Sequence, residues 1–296
     1  MPDLSPIAKV IAPKEKDLGA VSVRRALPAP NQRMVGPWIF FDHFGPATFP
    51  PDGGVDVRPH PHINLATVTY LFEGELRHRD SLGSDVIIRP GAINLMVAGR
   101  GVTHSERPTE HESDYDMEGL QLWHALPEAE EEREPSFHHY GADDIPEFSI
   151  EGVSGRVMMG SAFGMTSPVK IFHPTLYFEA TLEGGAILSL PDVEELALYP
   201  TAGDLSVDGQ DCPLRKLSVL DGSVARQVST REGGRFAAIG GAPMGPRFIE
   251  WNFVSSRRDR IAKAKRDWAE RRFPTVPGDE DERIPLPEET RVAHYP

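Results

Sequence analysis

The sequence holds a single cysteine, Cys212, in 296 residues. An internal disulfide is therefore excluded, and a reducing compartment is expected, with cytosol as the default assignment. No apolar run approaches the roughly 18–20 residues that a membrane-spanning helix needs. No N-terminal stretch has the basic-then-apolar form of a secretory signal. Positive charge is scarce as well: 31 basic against 45 acidic side chains give a net charge of −14. A general attraction to phosphate backbones or anionic lipid is not expected of such a chain, so direct nucleic-acid and membrane partners are set aside.

The charge is unevenly spread. Glu106 to Glu151 holds 15 carboxylates and two arginines, whereas Arg257 to Arg272 holds eight basic and three acidic residues. The segment Leu126–Pro135 is expected to be a linker between halves, or a turn or two of surface helix at Glu128–Glu134. Abundant glycine and proline, 27 and 28 residues, suit short strands joined by turns rather than a helical bundle. Strand-like runs follow at close intervals: Leu65–Phe72, Glu75–Arg79, Val86–Arg89, Ile93–Ala98 and Val102–Glu106. They resume at Arg156–Met159, Leu176–Leu182, Ala186–Leu190, Glu194–Tyr199, Asp204–Val207 and Arg235–Ile239. Strands this short and this closely spaced indicate an all-β sandwich or barrel, and the shared rhythm of the two halves points to a duplicated barrel, divided as residues 1–135 and 136–296. Near the end, Ser256 followed by Asp259 predicts a capped helix with Ile261, Ala264 and Trp268 on one face, stopped by Pro274. The tail from Gly278 is expected to pack loosely.

Two of the pairs among the chain's potential metal ligands match in spacing. His60 and His62 lie at i and i+2 within Arg58-Pro59-His60-Pro61-His62. In an extended chain such residues project from one face, about 7 Å apart. Each proline fixes its own φ and holds the preceding residue extended, which leaves both imidazoles little freedom. Proline donates no ladder hydrogen bond, so this segment is expected at a sheet edge or barrel rim. His104 and Glu106 repeat the spacing after the Gly99-Arg100-Gly101 turn. Three imidazoles and one carboxylate converging on one cation would suit iron, zinc, copper or nickel, and calcium poorly. Four ligands would leave coordination positions for substrate or dioxygen.

The run Gly36-Pro37-Trp38-Ile39-Phe40-Phe41-Asp42-His43-Phe44-Gly45-Pro46 resembles the opening signature of the pirin family. His60-Pro61-His62, Thr67-Val68-Thr69-Tyr70, Glu73-Gly74-Glu75, His78-Arg79-Asp80-Ser81 and Ala98-Gly99-Arg100-Gly101-Val102-Thr103-His104-Ser105-Glu106 follow in the family's order, and Trp251-Asn252-Phe253-Val254-Ser255-Ser256 is similar to a bacterial branch. The resemblance implies a bicupin of two antiparallel β-barrels, with metal in the N-terminal one. It implies His60, His62, His104 and Glu106 as ligands to one divalent ion, usually iron, with Zn, Ni, Cu and Mn as the other candidates. It implies activity like that of quercetin 2,3-dioxygenases, acting on a flavonol-like or other enolisable aromatic substrate with dioxygen, and Glu106 could then take the substrate proton. The alternative it leaves is a metal-containing redox sensor or co-regulator that works through a protein partner.

The chain departs from the family at Ile63-Asn64-Leu65-Ala66, where Arg-Gly-Phe-Glu is frequent, and at Leu95, where tryptophan is frequent. No carboxylate stands at Ala66, so the pocket mouth is expected to be more apolar. The second half holds His138, His139 and His173 without an i, i+2 pair and is expected to be structural. His43 and Asp42 are expected either to support a ligand imidazole or to cap a turn. His78, His111, His124 and His294 read as solvated or incidental, and Cys212 as inert.

Overall fold

The computed structural model describes residues 5–17, 19, 21–222 and 226–288. It is built almost entirely of antiparallel strands with one α-helix, α1 (Arg258–Ala269), and two short 3-10 turns. No helix among the described residues is long and apolar enough to cross a membrane.

The chain forms two units that alternate along the sequence. One gathers the segments up to Glu15, Arg24–Asp42 and Asp143–Met244; the other gathers Lys16–Val23, His43–Ala142 and the chain from Gly245 onward. The expected division between 135 and 136 is therefore corrected. Strand Ser136–Tyr140 pairs with Ile93–Val97, which keeps it with the earlier strands. Strand Ile7–Ile11 pairs instead with Leu217–Leu220. The helix and tail, assigned from sequence to the second half, belong to the unit of His60 and His104.

In the unit that contains Asp143–Met244, a seven-stranded sheet is accompanied by a four-stranded one made of Ile187–Ser189, Gln227–Ser229, Leu205–Val207 and Gln210–Cys212. Val157, Phe178, Leu198 and Phe236 lie in its core. Trp38 is wholly buried there, and its indole Nε1 donates to the carbonyls of Leu176 (3.0 Å) and Gly240 (3.2 Å). Gly36 sits at φ +54°, where an added Cβ would lie 2.9 Å from the Gly241 nitrogen. The Gly36-Pro37-Trp38 part of the opening motif thus serves packing of this unit.

The other unit sets strands Ser136–Tyr140, Ile93–Val97, Leu65–Glu73 and Tyr115–Ala125, adjacent in that order, against a second sheet of Val57–His62, Val102–Arg107, Leu76–Asp80 and Asp85–Ile88. Val57–His62, with its two prolines, lies at the edge of the second sheet, as proline's missing donor requires. Helix α1 buries Ile261, Ala264 and Trp268, the face its 3.6-residue period sets, in a cluster with Ile63 and Phe253.

Three sequence expectations about this region are corrected. Ser256 does not cap α1: the cap position is Arg257, without a side-chain cap bond, because the Ser256 hydroxyl and amide both bond to Glu131. The helix ends at Ala269, ahead of Pro274, and Arg271 then turns left-handed at φ +56°. The tail is pinned rather than loose. Trp268 Nε1 donates to Ile284 O at 2.9 Å, Ile284 N to Pro59 O at 2.9 Å, and Arg107 forms a two-armed pair with Asp279.

Trp268 joins helix, tail and the Ile63 cluster, so its loss removes a large buried ring and an indole hydrogen bond together. Trp268→Ala is expected to lower the stability of this unit by about 3–5 kcal/mol, read from the shift of its denaturant midpoint.

Candidate metal centre

The Gly99-Arg100-Gly101 turn starts the construction. Gly99 stands at φ +48°, and a Cβ there would come within 2.1 Å of Arg133 O, so only glycine fits. The turn launches Val102–Arg107 antiparallel to Val57–His62, with His104 directly opposite His60 and Val102 opposite His62. On its other side, His104 faces Asp80 and Glu106 faces His78 across Leu76–Asp80. Alternation then turns His60, His62, His104, Glu106, His78 and Asp80 toward one interior.

The ligand atoms of His60, His62 and His104 all lie within 4.8 Å of one another, and all three residues are buried. Ring centroids are 5.0 Å apart for His60–His62, 4.3 Å for His60–His104 and 5.0 Å for His62–His104. His60 Nδ1 donates to Arg58 O at 2.9 Å and His62 Nδ1 to Asn252 O at 3.0 Å. Each of these bonds fixes a tautomer and leaves Nε2 unprotonated, the form a metal needs. His104, 1% exposed, has no hydrogen-bond partner on either ring nitrogen among the described residues. A buried imidazole left unpaired costs free energy, and a cation among the three rings would relieve it. The donor set fits a divalent ion with nitrogen preference.

Burial also controls the charge of these groups. It lowers the His60 pKa to about 4, against a smaller opposing effect from the Arg58 carbonyl. It holds His62 and His104 well below the usual imidazole value, helped by repulsion from neighbouring histidines. The rings are therefore neutral and ready to ligate at neutral pH.

Glu106 stands outside the 4.8 Å cluster that the three imidazoles form. It is buried on the face described above, with Oε1 3.4 Å from Thr69 Oγ1. Burial raises its pKa, opposed by His78 and by the Thr69 hydroxyl.

Several residues lie elsewhere than expected. His78 is not solvated: it is buried, its Nε2 donates to Asp80 Oδ2 at 3.0 Å, its ring stacks on Phe137 at 4.4 Å, and it lies 5.3 Å from His104. Its signal in the sequence was the pairing with Asp80 at i, i+2, the spacing already given weight at His60 and His104. His124 is buried as well, whereas His111 is half-buried against the Tyr115 ring; His294 lies outside the described residues. His43 Nε2 donates to Glu118 at 3.1 Å, while Asp42 takes both arms of Arg25. His138 and His139 belong to this unit, not to the other, and His173 bonds the carbonyls of Ala242 and Pro243. Ala66 is fully buried on the face of its strand opposite Thr67 and Thr69, so it does not line the cluster.

The acidic segment is more than a linker. Glu131, 3% exposed, accepts hydrogen bonds from Ser255 Oγ, Ser256 N and Ser256 Oγ and pairs with Arg247 at 3.1 Å. It thereby anchors the hairpin of Phe248–Glu250 and Phe253–Ser255, whose turn carries the Asn252 carbonyl that orients His62.

Two barrel-like units, one with a buried triad suited to a divalent metal, define a bicupin. Residues 20–124 match the Pirin family model and residues 177–274 the Pirin C-terminal cupin domain. A pirin-like protein of Caulobacter vibrioides is 46% identical over 280 residues, covering 93% of this chain and 97% of the relative. Human pirin is 31% identical, covering 88% and 90%. The crystal structure of a quercetin 2,3-dioxygenase from Acinetobacter baumannii superposes with a TM-score of 0.86 at 33% identity, covering 97% of both chains. The chain belongs to the pirin family.

Two outcomes are expected. His104→Ala abolishes stoichiometric metal uptake by elemental analysis, with the β-type far-ultraviolet spectrum retained. The metal-free protein loses stability as pH falls from about 6.5, where the unfolded chain begins to take up protons, toward the folded His60 value of about 4. Thermal midpoints across that range check the sign; a flat profile contradicts the buried neutral triad.

Proposed function

We propose that the chain is a metal-dependent dioxygenase acting on a flavonol-like or other enolisable aromatic substrate, with His60, His62, His104 and Glu106 holding one ferrous ion. The observation that carries this reading is the unpartnered His104 imidazole within a triad whose other two members are preset with Nε2 free. Its kinship with a protein described as a quercetin 2,3-dioxygenase, at 33% identity over nearly the whole chain, supports the substrate class.

When bound, such an ion would supply Lewis-acid polarisation of a substrate oxygen and, as iron, the redox chemistry that dioxygen needs. The chain's own residues supply the rest. The Arg58 and Asn252 carbonyls hold two imidazoles in place. Trp123, edge-on to His62 at 5.0 Å, and Phe137, stacked on His78, flank the triad with apolar rings that keep water out. Glu106, made more basic by burial, takes the proton from the substrate hydroxyl.

Iron-loaded protein incubated aerobically with quercetin is expected to consume oxygen and release carbon monoxide. Glu106→Gln is expected to reduce turnover per bound metal by at least about a hundredfold. Turnover no faster than that of free iron would overturn the reading.

A further inference from the structure

The wall facing the histidine strands carries a row of polar side chains that the triad does not use. Thr69 lies directly across from Gln121 on one neighbouring strand and from Asn94 on the other, and Asn94 lies across from His139. Residues paired this way share a face of the sheet. The contact of Thr69 Oγ1 with Glu106 Oε1, at 3.4 Å, shows that this face is the one turned toward the His104 strand.

Most of the row is internally satisfied. Thr69 Oγ1 donates to Gln121 Oε1 at 2.7 Å, and His139 Nδ1 donates to Asn94 Oδ1 at 2.7 Å. The second bond fixes the Asn94 amide. Its oxygen is engaged toward exposed His139, so its NH2 end is directed away from that partner. Asn94 is 2% exposed, and its Nδ2 has no acceptor among the described residues. A buried donor of this kind is costly to keep, and such groups are rare in native interiors. Here it stands beside Thr69, one side chain away from Glu106.

We propose that Asn94 is a specificity-determining residue: its Nδ2 donates to an acceptor oxygen of a ligand held at the triad, selecting molecules with a carbonyl or enolate oxygen at that point. The choice of a flavonol as the ligand rests on the dioxygenase reading; the donor and its orientation do not. A site with a fixed buried donor discriminates against analogues that lack the matching oxygen, because the donor is then left unpaired. His139 acts as a positioning residue through the Asn94 oxygen.

The test compares wild type, Asn94→Ala, Asn94→Asp and His139→Ala, each loaded with the same divalent metal. Metal content, thermal midpoint, quercetin affinity from the flavonol's absorbance change, and steady-state constants are measured. Unchanged metal content and midpoint are expected in all four. Asn94→Ala is expected to weaken quercetin binding and raise KM about five- to tenfold, with kcat changed less than about threefold. Asn94→Asp, close in shape, is expected to weaken binding further, since acceptor then faces acceptor. His139→Ala is expected to give a smaller loss in the same direction.

Equal quercetin affinity in wild type and both Asn94 variants overturns the proposal, as does a loss explained by lower metal content. Asn94-dependent binding without turnover by wild type sustains it while the dioxygenase reading falls. Absence of any flavonol binding by wild type overturns both.

Discussion

Three buried imidazoles this close together are favoured only when they are uncharged. That constraint governs the metal-bearing unit. Three protonated rings with centroids 4.3–5.0 Å apart would repel strongly where little water screens them. Burial resolves the conflict by driving the protons off, and carbonyl acceptors on Arg58 and Asn252 then decide which nitrogen keeps its hydrogen. The surrounding architecture serves these two conditions. A proline-stiffened edge strand and a glycine turn fix the ring positions, and the Trp123 and Phe137 rings pack against His62 and His78.

Much of this was legible in the sequence because it depends on period-2 arithmetic. Pro59 and Pro61 predict both the extended geometry and the edge placement of His60 and His62, and the His104/Glu106 spacing predicts a second strand with the same orientation. The face of α1 followed from the 3.6-residue spacing of Ile261, Ala264 and Trp268. His78 was passed over although its i, i+2 pairing with Asp80 repeats the His104/Glu106 spacing. Its burial depends on Phe137, 59 residues away and on the opposing sheet. Local patterns carry no information about such pairings.

The domain boundary failed for a related reason. A change in composition at the acidic segment looks like the end of a unit, yet Glu131 is the buried anchor for a hairpin more than a hundred residues later. Glu128, Glu132 and Glu134 around it are exposed, and charge content alone does not separate the one that is buried from those that are solvated. Similarly, Ser256 has the composition of a helix cap, but a carboxylate competes for the same hydroxyl and amide and wins. Tertiary hydrogen bonding overrode the local preference.

The alternation of the two units has a consequence for biosynthesis. His62 is made early, but the carbonyl that orients it belongs to residue 252, and the helix beside Ile63 comes later still. The bond that orients His62 therefore spans 190 residues of chain, whereas His60 is held by a carbonyl two residues away.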